Sequence, residues 1–335
     1  VIRVVDLTCT YLGYRLTGPV IASASPTTGR IDGLLELEAA GAAAVVLPSA
    51  FQEEVERDGT GNALLQPGRP PAAGTITSLP YTDFYEVGVE RHTRLVAEAK
   101  RRLSIPVIAS VNAARPGAWL RHAEMMTDAG ADAIELSLYT LVTDSNRTAA
   151  DVEAQYLRVV ADVRAAVEVP LSVKLSPFFS ALPHFATQVV EAGADGLVLF
   201  NRFLQPDRGP RMPQGRPTVP LSGADELRLP LRWLAILRPQ LGHGTSLAAS
   251  TGVYSGLDVA KAVAVGADVA AMTSAVLRFG PRHVRKVLDD LVAWLKANEV
   301  GSIGDLRRSL EPATESSERN TYVQVLSSYL SAPAV

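Results

Sequence analysis

Eight short apolar runs recur along the chain, and none shows the polar–apolar alternation of a strand with one wet face. Four follow a repeated glycine phrase: AGAAAVVLPS at 40–49, AGADAIELS at 129–137, AGADGLVLF at 192–200 and VGADVAAMT at 265–273. Four alternate with these: GPVIASAS at 18–25, IPVIASVN at 105–112, VPLSVKLS at 169–176 and GTSLAAS at 244–250. Short continuous apolar runs are how strands covered on both faces read. Helical patterns separate most of them. Pro116 to Ala129 opens on a proline suited to a first helical turn and carries Leu120, Ala123 and Met126 on one face. The next helix follows Thr148, a candidate N-cap with Asp151 three residues on, and its stripe is Val152, Tyr156, Val159, Val163 and Val167. The glycine of each repeated phrase suits the position after a helix, where φ is positive.

Eight strands alternating with helices predict an α/β fold with a parallel sheet, and eight is the number that closes into a (β/α)8 TIM barrel. The whole chain, 1–335, reads as one such domain. TCTYLGYRL, with Gly13 at its centre, predicts a β-hairpin within 1–17 that plugs the barrel floor. Residues 281–297 predict the last barrel helix. A further helix near 302–310 and a polar tail complete the segment 298–335. Two Gly- and Pro-rich stretches, 56–80 and 203–223, follow the second and sixth strands. They are predicted to be loops walling the catalytic face.

Composition narrows the possibilities. The net charge of −3, with only five lysines, argues against a nucleic-acid footprint. No apolar run reaches the length of a membrane span. Asp6 falls too early for a signal-peptide core, so a cytoplasmic protein is expected. The single cysteine, Cys9, leaves no internal disulfide and no Cys-rich metal site, and is read as structural. None of His92, His122, His184, His243 and His283 pairs at metal-ligand spacing, so no metal is expected. His92 and His122 are placed on barrel helices facing solvent.

Catalytic residues of this architecture come from the carboxyl ends of strands. Lys174 is the most informative, because it interrupts the apolar fifth run. A buried lysine is costly without an anion or electron-rich ring to meet it. It could form a Schiff base, bind phosphate, or stabilise negative charge developing on a cofactor or substrate. STGVYSGLD at 250–258 follows the seventh run, where small residues let backbone amides approach a phosphate, and Thr273 and Ser274 add hydroxyls after the eighth. Glu135 lies within the fourth run and is read as orienting its neighbours.

These phrases together resemble the dihydroorotate dehydrogenase family of FMN-dependent barrels. The resemblance rests on DLTCTYLG with GPVIASAS, SVKLSPFF, LVLFNRF, and STGVYSGLD followed by VGADVAAMTSAVLRFGP. VVLPSAFQEE is closer to a divergent branch of that family. The resemblance implies an FMN whose phosphate is surrounded by Ser250, Thr251, Gly252, Thr273 and Ser274, with Gly223 lining the same region. It places Ala24 and Ser25 against the flavin ring, Ser49 and Asn112 nearby, Ser137 at a loop position that contacts the site, and Lys174 at the N1/O2 edge. Asn201 matches the substrate-contacting asparagine.

The departures are specific. The family's lysine after the second strand is Pro48 here, and one of two adjacent phosphate-loop glycines is Thr251. The asparagine, cysteine-or-serine base and second asparagine of the fourth loop fall on Ser137, Thr140 and Val142. An asparagine-rich loop after the second strand is replaced by the Gly/Pro-rich stretch. A polar substrate like dihydroorotate would lose its partners. The expectation is therefore an FMN oxidoreductase of the CH–CH class. It passes hydride between flavin N5 and another small-molecule substrate, with Tyr139 or Thr140 relaying a proton, and the family resemblance suggests a homodimer. A flavin-free barrel serving binding or assembly is the alternative, favoured by Pro48 and Thr251. A Schiff-base enzyme using Lys174 is a third reading.

Overall fold

The computed structural model of the chain describes residues 5–51, 89–113, 120–203, 220–307 and 314–329. The sequence-predicted hairpin is β1 (Cys9–Tyr11) paired antiparallel with β2 (Tyr14–Leu16). The eight apolar runs are β3 (Val20–Ala22), β4 (Val45–Phe51), β5 (Val107–Asn112), β6 (Ala133–Ser137), β7 (Leu171–Leu175), β8 (Gly196–Leu199), β9 (Ser246–Ser250) and β10 (Val269–Met272). Each pairs in parallel with the next, and β10 returns to β3, so the sheet is a closed barrel. The hairpin lies beneath it. Leu12 N donates to Ser246 Oγ at 2.9 Å and Tyr14 Oη to the carbonyl of Asp132 at 2.9 Å, both at strand beginnings. Cys9 is buried in this floor, donates to the carbonyl of Gly18, and has its thiol pushed up to about 12 by burial.

Helices α1 (Ile31–Ala39), α2 (Val89–Arg102), α3 (Leu120–Asp128), α4 (Ala149–Ala166), α5 (Leu182–Glu191), α6 (Arg228–Leu241) and α7 (Gly256–Ala264) follow successive strands. After β10 come a short α8 (Ser274–Phe279) and α9 (His283–Ala297). Thr148 caps α4 reciprocally with Asp151, as its spacing predicts, and Tyr156, Val159 and Val163 are buried. No helix among the described residues is long and apolar enough to cross a membrane.

The repeated phrase has a mechanical meaning. Its glycines adopt φ of 98° (Gly41), 100° (Gly130), 111° (Gly193) and 106° (Gly266), which turn the chain from helix into strand. At Gly193 a Cβ would also meet Arg164 Cγ at 2.4 Å. The aspartate two residues on then clamps the preceding strand. Asp132 N donates to Val107 O, and the Asp132 carboxylate accepts from Val107 N at 2.7 Å. Asp195 does the same with Leu171, and Asp268 with Leu247. Each carboxylate also meets a cation of the helix that leads into the clamped strand: Lys100, Arg164 or Arg238. In the first copy Ala43 replaces the aspartate, and only its backbone bond to Val20 remains.

Two expectations are corrected. His122 is buried rather than solvent-facing, because it sits on α3 beside Ala123 and turns toward the barrel with Met126. The helix expected near 302–310 is a single turn, α10 (Ile303–Leu306). The segment expected as a polar tail contains a 15-residue helix, α11 (Glu315–Tyr329), whose apolar residues form no stripe against the barrel. The predicted loop 56–80 lies outside the described residues, as do residues 204–219 of the loop 203–223 and residues 116–119 of the helix predicted from Pro116.

Candidate functional site

Strand alternation turns Ser172 and Lys174 of β7 into the barrel together with Glu135 and Ser137 of β6, with Glu135 opposite Ser172 and Ser137 opposite Lys174. The Lys174 side chain is 12% exposed and does not rise out of the barrel mouth. Its ammonium lies 3.5 Å from Glu135 Oε1 and 3.4 Å from Ser23 Oγ, so it bends over the barrel axis. Glu135 and Ser23 are both buried.

Lys174 lines a cleft of about 280 Å³ at the carboxyl ends of β3 and β7–β10. Of the residues singled out in the sequence, Ala24, Asn201, Ser250 and Thr251 line the same cleft, with Gly252, Thr273 and Ser274 completing its far corner. Asn201 is held firmly: its amide nitrogen donates to Ser137 Oγ at 2.9 Å and reaches the carbonyls of Leu138 and Lys174 at 3.3 Å. Ser137 therefore serves as Asn201's anchor and is not itself on the cleft wall.

The corner is rich in hydroxyls. Ser222 Oγ and Ser274 Oγ are 2.7 Å apart, and Thr251 Oγ1 reaches the carbonyl of Phe200 at 3.4 Å. Thr251 has φ of 84°, the left-handed conformation that glycine adopts freely. Gly252 follows at φ 79°, and a Cβ there would lie 2.4 Å from Leu227 N. The backbone thus keeps a two-glycine path although one residue carries a side chain.

The remaining sequence candidates sit elsewhere. Ser25 is tied into a turn with Thr28. Ser49 Oγ pairs with Ser110 Oγ at 2.7 Å, beyond a register shift that Pro48 introduces into β4. Asn112 stands beside Ser137 in register. Gly223 N donates to Glu226 Oε1 at 2.9 Å. Tyr139 is half-buried outside the cleft wall. Thr140 Oγ1 is buried beside Tyr156, a hydroxyl held above its ordinary value chiefly by burial and eased back by Thr140.

Six cleft residues were not among the sequence candidates: Phe200, Arg202, Ser222, Val253, Tyr254 and Ala271. Arg202 is gripped by Glu226 through two bonds of 3.2 Å and by the carbonyl of Pro220. Tyr254 Oη donates to the carbonyl of Ser222. Tyr254 lay inside STGVYSGLD and Arg202 directly after Asn201, so position alone could have nominated both.

The dihydroorotate dehydrogenase family model matches residues 78–295 of the chain. A putative dihydroorotate dehydrogenase A (fumarate) of Aeropyrum pernix is 27% identical over 248 residues, which cover 72% of this chain and 78% of that protein. A dihydroorotate dehydrogenase (quinone) of Chelativorans sp. is 29% identical over 42% of this chain and 39% of its own length. A dihydroorotate dehydrogenase A (fumarate) of Lacticaseibacillus paracasei is 34% identical over 39% of this chain and 45% of its own. The chain belongs to the dihydroorotate dehydrogenase family, a family of oxidoreductases.

Proposed function

We propose that the protein is an FMN-dependent oxidoreductase of the CH–CH class acting on a small molecule other than dihydroorotate. The observation that carries this reading is the cleft's polarity. A buried ammonium, Lys174, stands at one end, and the hydroxyls of Thr251, Thr273 and Ser274 with the glycine backbone at Gly252 stand at the other. That donor set fits a ligand with an electron-accepting ring and a phosphate. Thr251, Gly252, Thr273, Ser274 and Ser250 would hold the phosphate end, and Ala24 would adjoin the ring. Bound there, FMN would supply hydride exchange between its N5 and a substrate carbon.

The chain's own residues supply the rest. Lys174 places positive charge where negative charge develops. Asn201, clasped by Ser137 and two carbonyls, presents a fixed amide to the substrate side. Dihydroorotate would find few donors in this site. Pro48 has no side-chain donor, Thr140 Oγ1 is buried beside Tyr156, and Val142 is apolar and 37% exposed. A site lacking the partners of a polar substrate discriminates strongly against it.

The test is the visible spectrum of the purified protein after incubation with FMN. Flavin bands near one equivalent per chain are expected, reduced in occupancy by Lys174→Ala, with dihydroorotate leaving the flavin oxidised under anaerobic conditions. A colourless protein that takes up no FMN would overturn the reading. It would favour instead a flavin-free binding barrel, for which the Thr251 side chain in the phosphate corner is the specific observation.

A further inference from the structure

We infer that Glu135 is the positioning residue for Lys174, fixing its ammonium beneath the cleft and making the cleft floor a neutral pair rather than a lone cation; the inference rests on the flavoprotein reading above. Three observations converge on it. Glu135 is 3% exposed inside the barrel, an expensive place for a carboxylate without a cation. Its Oε1 is 3.5 Å from Lys174 Nζ, although Lys174 is in register with Ser137 and not with Glu135. The lysine stem therefore folds back across an interior layer to reach it, and Ser23 Oγ, 3.4 Å away from β3's side, completes the seat. From below, the floor hairpin brings Tyr11, a buried hydroxyl kept neutral by burial first and by Glu135's charge second. Glu135 thus stands between a neutral floor and the cleft, and Lys174 is its charged partner.

The consequence is electrostatic. An ammonium has three donors. With two directed at Glu135 and Ser23, the third is free to face the cleft in one defined direction. The carboxylate behind it offsets much of the attraction Lys174 offers to negative charge entering the cleft. Glu135 therefore sets how strongly the site favours a reduced, more negative ligand, without touching that ligand.

Full-length wild type, E135Q and E135D are loaded with FMN and equilibrated against an indicator dye. E135Q should shift the flavin toward its reduced form by about tenfold, equivalent to ~30 mV for a two-electron couple. E135D, which keeps the charge, should stay close to wild type. A purely structural role would not separate the two, and an E135Q equilibrium equal to wild type overturns the inference. A second arm needs no flavin. Trace acetylation of Lys174 by acetic anhydride, with exposed Lys286 as internal standard, should rise severalfold in E135Q, and an unchanged ratio likewise overturns it. If wild type takes up no FMN, the flavoprotein reading fails, and the labelling arm alone decides on Glu135. If E135Q is insoluble, the double variant E135Q/K174M should restore folding, because a pair removed together leaves no stranded charge. Failure of that rescue counts against the pairing.

Discussion

At the scale of single residues, Thr251 is where sequence and backbone disagree. Its φ of 84° belongs to glycine, and a β-branched residue there costs roughly 1–2 kcal/mol. The neighbouring Gly252 tolerates no substitution, since a Cβ would strike Leu227 backbone. Thr251→Gly should therefore raise stability by about 1 kcal/mol, the relief of strain being partly offset by the freer unfolded chain. Thr251→Ala, which keeps a Cβ, should give little of that gain; urea midpoints of the two variants separate strain from loss of the weak hydroxyl bond to Phe200. This is also the level at which the sequence was least complete. Residue types at the strand ends could be read, and eight of the residues singled out do line the cleft. Their partners could not. Nothing local says that Ser137 faces Asn201 across 64 residues, that Ser25 is spent on its own turn, or that Thr140 turns toward Tyr156. The first is an outcome of register between strands and the others of how loops fold back on themselves or onto a helix, neither of which a one-dimensional pattern carries.

At the scale of elements, the repeated phrase was legible because it combines a conformational need with a charge. Glycine turns the chain and aspartate pins the strand beginning, so the glycine–x–aspartate pattern recurs at the junctions into β6, β8 and β10. The copies differ in burial. The Asp268 and Arg238 side chains are 8% and 5% exposed, whereas Arg164 and Asp195 are 28% and 50% exposed. Asp268→Ala should therefore cost about 3–5 kcal/mol, leaving Arg238 charged and unpaired in the interior. Asp195→Ala should cost about 1 kcal/mol, mostly the lost bond to Leu171 N, because its exposed ion pair contributes little. Equal costs in chemical denaturation would show that the clamp's strength does not depend on burial. Elements without such a signature were missed. Helix α11 has no apolar stripe facing the barrel, and α8 is too short for periodicity to register.

At the scale of the molecule, the question is where the barrel's last necessary contact lies. Helix α9 packs against α7 with Val284, Val287 and Leu291 fully buried, but the chain is not yet finished there. Beyond it, Ser302 bridges Asp6, Ile303 N donates to the carbonyl of Asp6, and Ile303 and Leu306 are buried. Arg307 then reaches Asp268 at 2.6 Å, so the end of the barrel is tied both to its first residues and to the clamp of its last strand. Helix α11 stands apart from this. Tyr322, Val323, Val325 and Leu326 are each at least 48% exposed, and among the described residues the helix is linked to the barrel by the pair Arg232–Glu318 on a half-exposed surface. Surface contacts of that kind contribute within about 0.5 kcal/mol. A chain ending at Arg307 should accordingly unfold within about 0.5 kcal/mol of the full chain. A chain ending at Ala297 loses two buried aliphatic side chains as well as the Arg307 tie, and should lose at least about 3 kcal/mol. If instead removal of α11 alone destabilises the protein by as much as the longer cut, then its exposed apolar side chains are covered in solution, and the barrel is only part of the folded unit.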